Sequence, residues 1–339
     1  MAIITLDADS ISNESDLLDL LHDELVDNRG WTSRRNEMTG TNNREIWVEK
    51  DKDDTVSDRN IIAGFRSLNT NAASPITSQS MYLRLVDGAT EWTDSENAGS
   101  AEDADFNDIG DLPPTNTFLR AWGFHPYRDD VTNAWVIVPD SNDSGEQYFY
   151  CVVQFSNEYY FYLGAGEIEK AYDFTGGEFV AGSSVPATFS GSSVEEGFLA
   201  PVGSSSSTQS GLLYCDNGSG TEGRVMGTHV DGVRCPFNYF SLQIVHRDLN
   251  PSTDSGQFIP FPIAYFASLN DVTNDSTQEF EYIGAAPQIF LTNIKNLNDA
   301  TEIVIGTNQY LVTPLYAREG AANGDSFYMG LLIRTQDAP

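Results

Sequence analysis

The chain has 339 residues, of which 40% are hydrophobic and 12% aromatic. That is enough to build a large core, so global disorder is excluded. Lys plus Arg number 18 against 50 Asp plus Glu, a formal net charge of −32. Such a chain repels nucleic-acid phosphates and anionic lipid, and neither is expected as a partner. Lysine occurs only at Lys50, Lys52, Lys170 and Lys295. This composition fits a halophilic or marine setting, where salt shortens the Debye length to about 3 Å at 1 M. It equally fits an acidic protein of no special habitat.

The N-terminus, Met1-Ala-Ile-Ile-Thr-Leu-Asp, lacks the basic and long apolar regions of a signal peptide. No run of 18 apolar residues predicts a membrane span. Asp16 to Asn28 predicts an amphipathic helix. Leu17, Leu21 and Leu25 recur every four residues, and Leu18 and Leu20 widen the stripe. Ser12 or Asn13 supplies an N-cap, Glu14 and Asp16 suit the positive end of the dipole, and Gly30 ends it. Its apolar face is expected to dock on the core or on a neighbouring subunit.

From Arg44 the hydrophobic period shortens to two. Ile46–Val48, Ile61–Phe65 and Met81–Val86 read as strands, followed by Phe118–Phe124 and Ala134–Val138. Residues 94–111 form an acidic loop with seven carboxylates: Asp94, Glu96, Glu102, Asp103, Asp105, Asp108 and Asp111. Hard cations such as calcium want oxygen clusters of this kind, but the loop lacks the ligand pattern and Gly of an ordered calcium site. A solvated loop is the better reading, and no cofactor is expected. Asp140 to Gly145 resembles the start of an EF-hand loop. Cys151 stands where its bidentate Glu belongs, so a turn accounts for it better.

Tyr148 to Leu163 is the densest aromatic stretch. Tyr148–Phe155 and Tyr159–Leu163 flank the polar Ser156-Asn157-Glu158, the pattern of a β-hairpin. Apolar residues on both parities require cover on both faces, from a second sheet or another chain. Tyr148, Tyr150, Tyr159, Phe161 and Leu163 are therefore candidate assembly-interface residues. Thr175-Gly176-Gly177 marks another tight turn. Residues 183–210 are rich in Gly and Ser and read as a loop or linker. Strands resume at Leu212–Cys215, Tyr239–His246 and Phe258–Ala267, with Pro260 and Pro262 confining the last to an edge. Ile303–Ile305, a turn at Gly306 to Asn308, and Tyr310–Ala317 form a hairpin. Phe327–Arg334 returns as the final strand. The chain is thus expected to be mainly β. It reads as β-sandwich or barrel-like lobes of antiparallel strands with one N-terminal amphipathic helix. The divisions are a helical arm at 1–30, a first lobe at 31–182, the linker, and a second lobe at 211–339.

No motif carries chemistry. Gly218 to Gly223 matches G-x-G-x-x-G, but Gly227, Gly232 and Pro236 deny it the helix that a dinucleotide site requires. His22, His125, His229 and His246 stand alone, and 50 carboxylates make any acidic pairing uninformative. Cys151, Cys215 and Cys235 match no metal spacing. Cys151 is expected as a buried free thiol, and Cys215 and Cys235 have the option of pairing. No catalytic residue, metal or cofactor is assigned, and no enzymatic activity is expected. Trp31, Trp47, Trp92, Trp122, Trp135 and the 15 tyrosines supply aromatic area for a core and for a subunit interface.

Three stretches carry a resemblance. They are Gly164-Ala-Gly-Glu-Ile-Glu-Lys170 with Thr175-Gly-Gly-Glu-Phe179; Glu302-Ile-Val-Ile-Gly306 with Tyr310-Leu-Val-Thr-Pro-Leu315; and the N-terminal helix followed by Gly30-Trp31-Thr32. Together they resemble tail-associated structural proteins of tailed viruses, bacteriophage or haloarchaeal. The resemblance implies a virion component of the tail or tail tip, made in the host cytoplasm. Its partners would be further copies of itself, other tail proteins and the host surface. A capsid or neck protein, a glycan-binding fibre or spike, and a tail depolymerase are the alternatives.

The net charge generates a first prediction. The melting temperature should rise between dilute buffer and molar salt as self-repulsion is screened; a flat or falling trend would contradict it.

Overall fold

A computed structural model describes residues 2–40, 43–50, 60–69, 79–86, 111–112, 119–122, 130–139, 147–156, 160–173, 177–183, 211–215, 260–268, 280–294, 297–314 and 329–337. The chain begins with strand β1 (Ala2–Thr5), a single 3-10 turn, and helix α1 (Glu14–Asp23), which widens into a π-type turn at Glu24–Asn28. Strands β2 (Thr32–Gly40), β3 (Asn43–Lys50), β4 (Ile61–Asn69), β5 (Gln79–Val86), β6 (Asp111–Leu112) and β7 (Leu119–Trp122) follow. Next come β8 (Val131–Val138), β9 (Tyr148–Phe155), β10 (Tyr160–Glu167), β11 (Glu169–Lys170), β12 (Glu178–Ser183) and β13 (Gly211–Cys215). The last are β14 (Phe261–Ser268), β15 (Phe280–Asn293), β16 (Thr301–Ile305), β17 (Asn308–Pro314) and β18 (Met329–Asp337). The fold is mainly β, as the sequence predicts. No described helix is long and apolar enough to cross a membrane.

The strands form three antiparallel sheets. A central sheet has the order β1-β8-β9-β10-β12-β13. An N-terminal sheet runs β2-β3-β4-β5-β6, with β7 also on β5. A C-terminal sheet runs β11-β15-β18-β17-β16, with β14 on β15. The pairing crosses the divisions read from composition. β1, inside the expected helical arm, is an edge of the central sheet. β13 pairs with β12 across the Gly/Ser-rich stretch, and β11 pairs with β15.

The central hairpin β9–β10 organises the stack. Phe149, Cys151, Val153, Phe155, Phe161 and Leu163 point to one side, where they join Ile46, Val48, Ile61, Ala63 and Phe65 of the N-terminal sheet and the leucines of α1. Tyr148, Tyr150, Val152, Tyr160 and Tyr162 point to the other side, against Ile283, Ile289, Leu291, Leu311, Leu331 and Ile333 of the C-terminal sheet. Phe149 meets Trp31 and Phe65 edge-on, with ring centroids 5.3 and 5.8 Å apart, the geometry that ring quadrupoles favour. Both faces are therefore covered by the chain's own sheets. Tyr148, Tyr150, Phe161 and Leu163 are at most 1% exposed. They are core residues rather than an assembly surface; Tyr159 lies outside the described residues. Trp31, Trp47 and Trp135 are likewise buried.

The helix is built as its sequence requires. Asn13 Oδ1 accepts from the Ser15 and Asp16 amides at 2.8 and 3.2 Å. Asp16 reaches back to the Ser12 amide at 3.0 Å, a reciprocal cap. At the far end Gly30 takes φ +66°, and the Trp31 amide donates to the Leu25 carbonyl. Lys50 Nζ donates to the Arg29 and Gly30 carbonyls, 3.2 Å each, placing a cation at the negative end of the dipole. Leu17, Leu18, Leu21 and Leu25 are fully buried. The face docks on the chain's own core.

Since Phe161 sits between stacked sheets, Phe161→Glu should abolish the cooperative unfolding transition rather than weaken assembly of a folded protein. Burying an unpaired carboxylate costs several kcal/mol, a large part of the about 5–15 kcal/mol that holds a domain folded. A variant with a native-like melt would contradict the placement.

Candidate functional site

The Gly164–Lys170 segment is where the chain changes sheet. β10 ends at Glu167 in the central sheet, and β11 begins at Glu169 in the C-terminal sheet. Ile168, between them, is buried in the apolar layer the two sheets share. Its amide donates to the Gly177 carbonyl at 2.9 Å, and the Glu167 amide to the Gln147 carbonyl at 2.8 Å. Glu167 and Lys170 form an ion pair at 2.5 Å. Gly177, in the expected turn, takes φ +99°, and a Cβ there would come within 2.8 Å of Lys170 Cε. The positive φ is what calls for glycine, since the end of the Lys170 side chain can move aside.

The opposite side of this corner is a bend in β15 at Pro287-Gln288. Gln288 has φ +56°, sparsely populated for a residue with a side chain. Its contacts over-determine it. Glu169 Oε1 accepts from the Gln288 amide at 3.3 Å and from Nε2 at 3.0 Å. Gln288 Oε1 accepts from Arg334 Nη1 at 2.8 Å. Buried Tyr150 Oη donates to the Pro287 carbonyl at 2.9 Å. The buried Tyr150 bond thus joins the two sheets, while the exposed Glu169 and the half-buried Arg334 hold Gln288 from within the C-terminal sheet. The corner carries no nucleophile. Its chemistry is mechanical.

A second constellation looks catalytic. His22 Nε2 lies 2.7 Å from Ser33 Oγ, and its Nδ1 lies 3.3 Å from Asp23 Oδ1. The sequence left His22 alone because Ser33 reaches it only through the α1–β2 packing. Asn36 Oδ1 accepts from Arg44 Nη1 at 2.5 Å, and Asn36 Nδ2 donates to Asp19 Oδ1 at 3.1 Å. A guanidinium only donates and a carboxylate only accepts, so the amide orientation is set. His22 Nδ1 thus faces a donor, Asn36 Nδ2 at 3.1 Å, as well as an acceptor, Asp23 Oδ1. A proton on Nε2 serves Ser33 and Asn36, one on Nδ1 serves Asp23, and only the second tautomer is that of a general base. The contacts tie the helix to the edge strand.

The third polar cluster lies on the outer face of β3 and β4. Glu45 and Glu49 are 1% and 3% exposed. Arg35 Nη1 and Trp47 Nε1 reach Glu45 Oε1 at 2.9 and 2.7 Å. Glu49 pairs with Arg34 and accepts from Asn60 Nδ2 at 2.5 Å. Each carboxylate is committed to an arginine, as buried charges require. Trp47 lies across Gly64, its registered partner on β4, where a Cβ would meet the indole at 2.7 Å.

Cys151 is buried and free, and burial pushes its thiol up to about 12, so it is no nucleophile at neutral pH. No group of His, Cys, Asp and Glu able to hold a metal ion occurs among the described residues. His125, His229, His246, Cys235, residues 218–223 and 140–146, the Tyr239–His246 strand and residues 94–110 of the acidic loop lie outside them. The chain matches no family model and no curated protein.

The corner generates a prediction. Tyr150→Phe removes the donor to a buried carbonyl and should destabilise the protein by about 1–3 kcal/mol. Urea unfolding should show a lower midpoint with an unchanged slope. An unmoved midpoint would mean that the hydroxyl does not hold the bend.

Proposed function

We propose that this chain is a structural component of a tailed-virus particle, placed in the tail or tail tip and assembled as a symmetric oligomer with other virion proteins. The observation that carries the reading is the resemblance in Gly164–Lys170 and Thr175–Phe179, together with the work these residues do. Gly177 and the segment from Glu167 to Lys170 build the corner at which two sheets are joined. A motif spent on a joint between sheets serves a scaffold. The strand pairs that carry the C-terminal part of the resemblance, β16–β17, form the rim of the same sheet.

A glycan-binding fibre or spike module is the second reading, and one feature favours it. Extending the β11–β15 register brings Tyr172 opposite Tyr282, and these are 41% and 44% exposed. Burial and the Glu169 carboxylate raise the Tyr282 phenol, so it stays neutral and able to stack on a sugar ring at physiological pH.

Gradient-purified particles should contain the chain in a fixed copy number, and averaged particle images should place it in the tail. Its absence from intact particles would overturn the proposal. Binding of the purified protein to host-surface glycans, lost in Tyr172→Ala, would move the second reading to first place.

A further inference from the structure

We propose that the open edge of β16 is a self-association edge, on which two copies of this chain pair antiparallel about a two-fold axis at Ile303. The inference rests on the oligomeric reading above and names the surface that carries it.

Several of the other described sheet edges are blunted. β2 carries Arg34, Arg35 and Glu37; β14 carries Pro262; β1 has four residues. Charges, proline and shortness are the ordinary means of keeping an edge from pairing. β16 has no proline and a single charge. It ends the C-terminal sheet, with β17 as its one partner among the described residues. Glu302 is the one charged residue between Ala300 and Pro314, in a chain whose residues are 20% charged. Val304, 63% exposed, is the most exposed large hydrophobic side chain described.

The backbone geometry is specific. Ile305 and Asn308 flank the two-residue loop Gly306-Thr307, with Gly306 at φ +64°. The pair flanking such a loop exchanges both hydrogen bonds, and the ladder alternates from there. The N–H and C=O groups of Glu302 and Val304 therefore point away from β17. A two-fold at Ile303 sets Glu302 opposite Val304 of the second copy, twice. All four outward backbone groups on each copy are then matched. The two Glu302 carboxylates do not face each other. Ile303, packed beside the Tyr310, Val312 and Leu332 cluster, meets its own counterpart on that face and extends the cluster across the axis.

A second copy is the occupant because of charge. At −32, two copies repel over most of their surfaces. The rim of β16 and β17, with Glu302 as its one charge, is where they approach at least cost. A basic partner would be drawn instead to surfaces richer in carboxylates than this edge.

Sedimentation equilibrium of the full chain in molar salt should show a reversible dimer or an oligomer built from it. Val304→Glu, at an exposed position and checked for an unchanged melt, sets a carboxylate opposite Glu302 of the second copy, twice, and should raise the dissociation constant at least tenfold. Ile303→Cys should give a disulfide-linked dimer on mild oxidation, because the central non-hydrogen-bonded pair sits about 4.5 Å apart, within reach of a disulfide. Glu302→Cys should not. A monomeric wild type overturns the proposal. So does an oligomer indifferent to Val304→Glu whose Ile303→Cys form does not cross-link. Neither result touches the virion reading, which its own particle-localisation test decides.

Discussion

The structure depends on one constraint: the β9–β10 hairpin has no wet face. A strand in a two-layer sandwich alternates apolar and polar residues, because one side meets water. Here residues of both parities are buried, so a sheet is needed on each side. The two layers differ in chemistry. The side toward the helix is aliphatic and phenylalanine-rich, with no tyrosine among its buried residues. The other side is rich in tyrosine, and each hydroxyl there must find a partner or bear a penalty. Tyr150 meets this by donating to Pro287. One hydrogen bond thereby couples the central sheet to the bend in β15.

The corner at Glu167–Lys170 follows from the same constraint. Covering the tyrosine face requires the chain to leave one sheet and enter another, and it does so within three residues. The turn is tight enough to hold Gly177 at φ +99°, which favours glycine. On β15, a Cβ at Gly284 would come within 2.4 Å of the Glu169 carbonyl. Gln288 is held in an unfavourable backbone conformation by contacts from Glu169 and Arg334, which come from two different strands. Local strain is tolerated where surrounding contacts over-determine it. Covalent continuity, a buried hydroxyl and an ion pair thus act at one place.

Much of this was legible in the residues. The helix, its Asn13 cap and Gly30 end, the central hairpin, the Gly306 turn and the final strand occur close to where periodicity and turn chemistry place them. The demand for cover on both faces was also legible, but not that the cover comes from the same chain. Periodicity reports that a face is buried and is silent on what buries it. The strands that escaped have physical reasons. β2 reads Thr-Ser-Arg-Arg-Asn-Glu-Met-Thr-Gly and is held by cross-strand ion pairs, Arg34 with Glu49 and Arg35 with Glu45, which no hydrophobic pattern reveals. β15 contains Gly284 and Pro287, which ordinarily argue against a long strand; here they make its close approach and its bend. The Ser33–His22 contact depends on tertiary packing alone.

The distribution of cations completes the argument. Arginine and lysine are scarce, and those whose side chains are described are engaged inside the chain. Arg29, Arg34, Arg35, Arg44, Arg66 and Lys170 lie beside carboxylates. Lys50 meets helix-end carbonyls, and Arg334 holds Gln288. Several of these pairs neutralise carboxylates that burial would otherwise make intolerable, notably Glu45 and Glu49. Internal electroneutrality therefore consumes positive charge that the surface then lacks. The excess acidity is not spread as a passive coat. It is what remains after the interior has been balanced, and it governs how one copy meets another. Contact between copies is then cheapest where charge is sparse. The rim of the C-terminal sheet carries Glu302 as its one charge between Ala300 and Pro314, and combines this with outward-facing backbone groups and the exposed Val304.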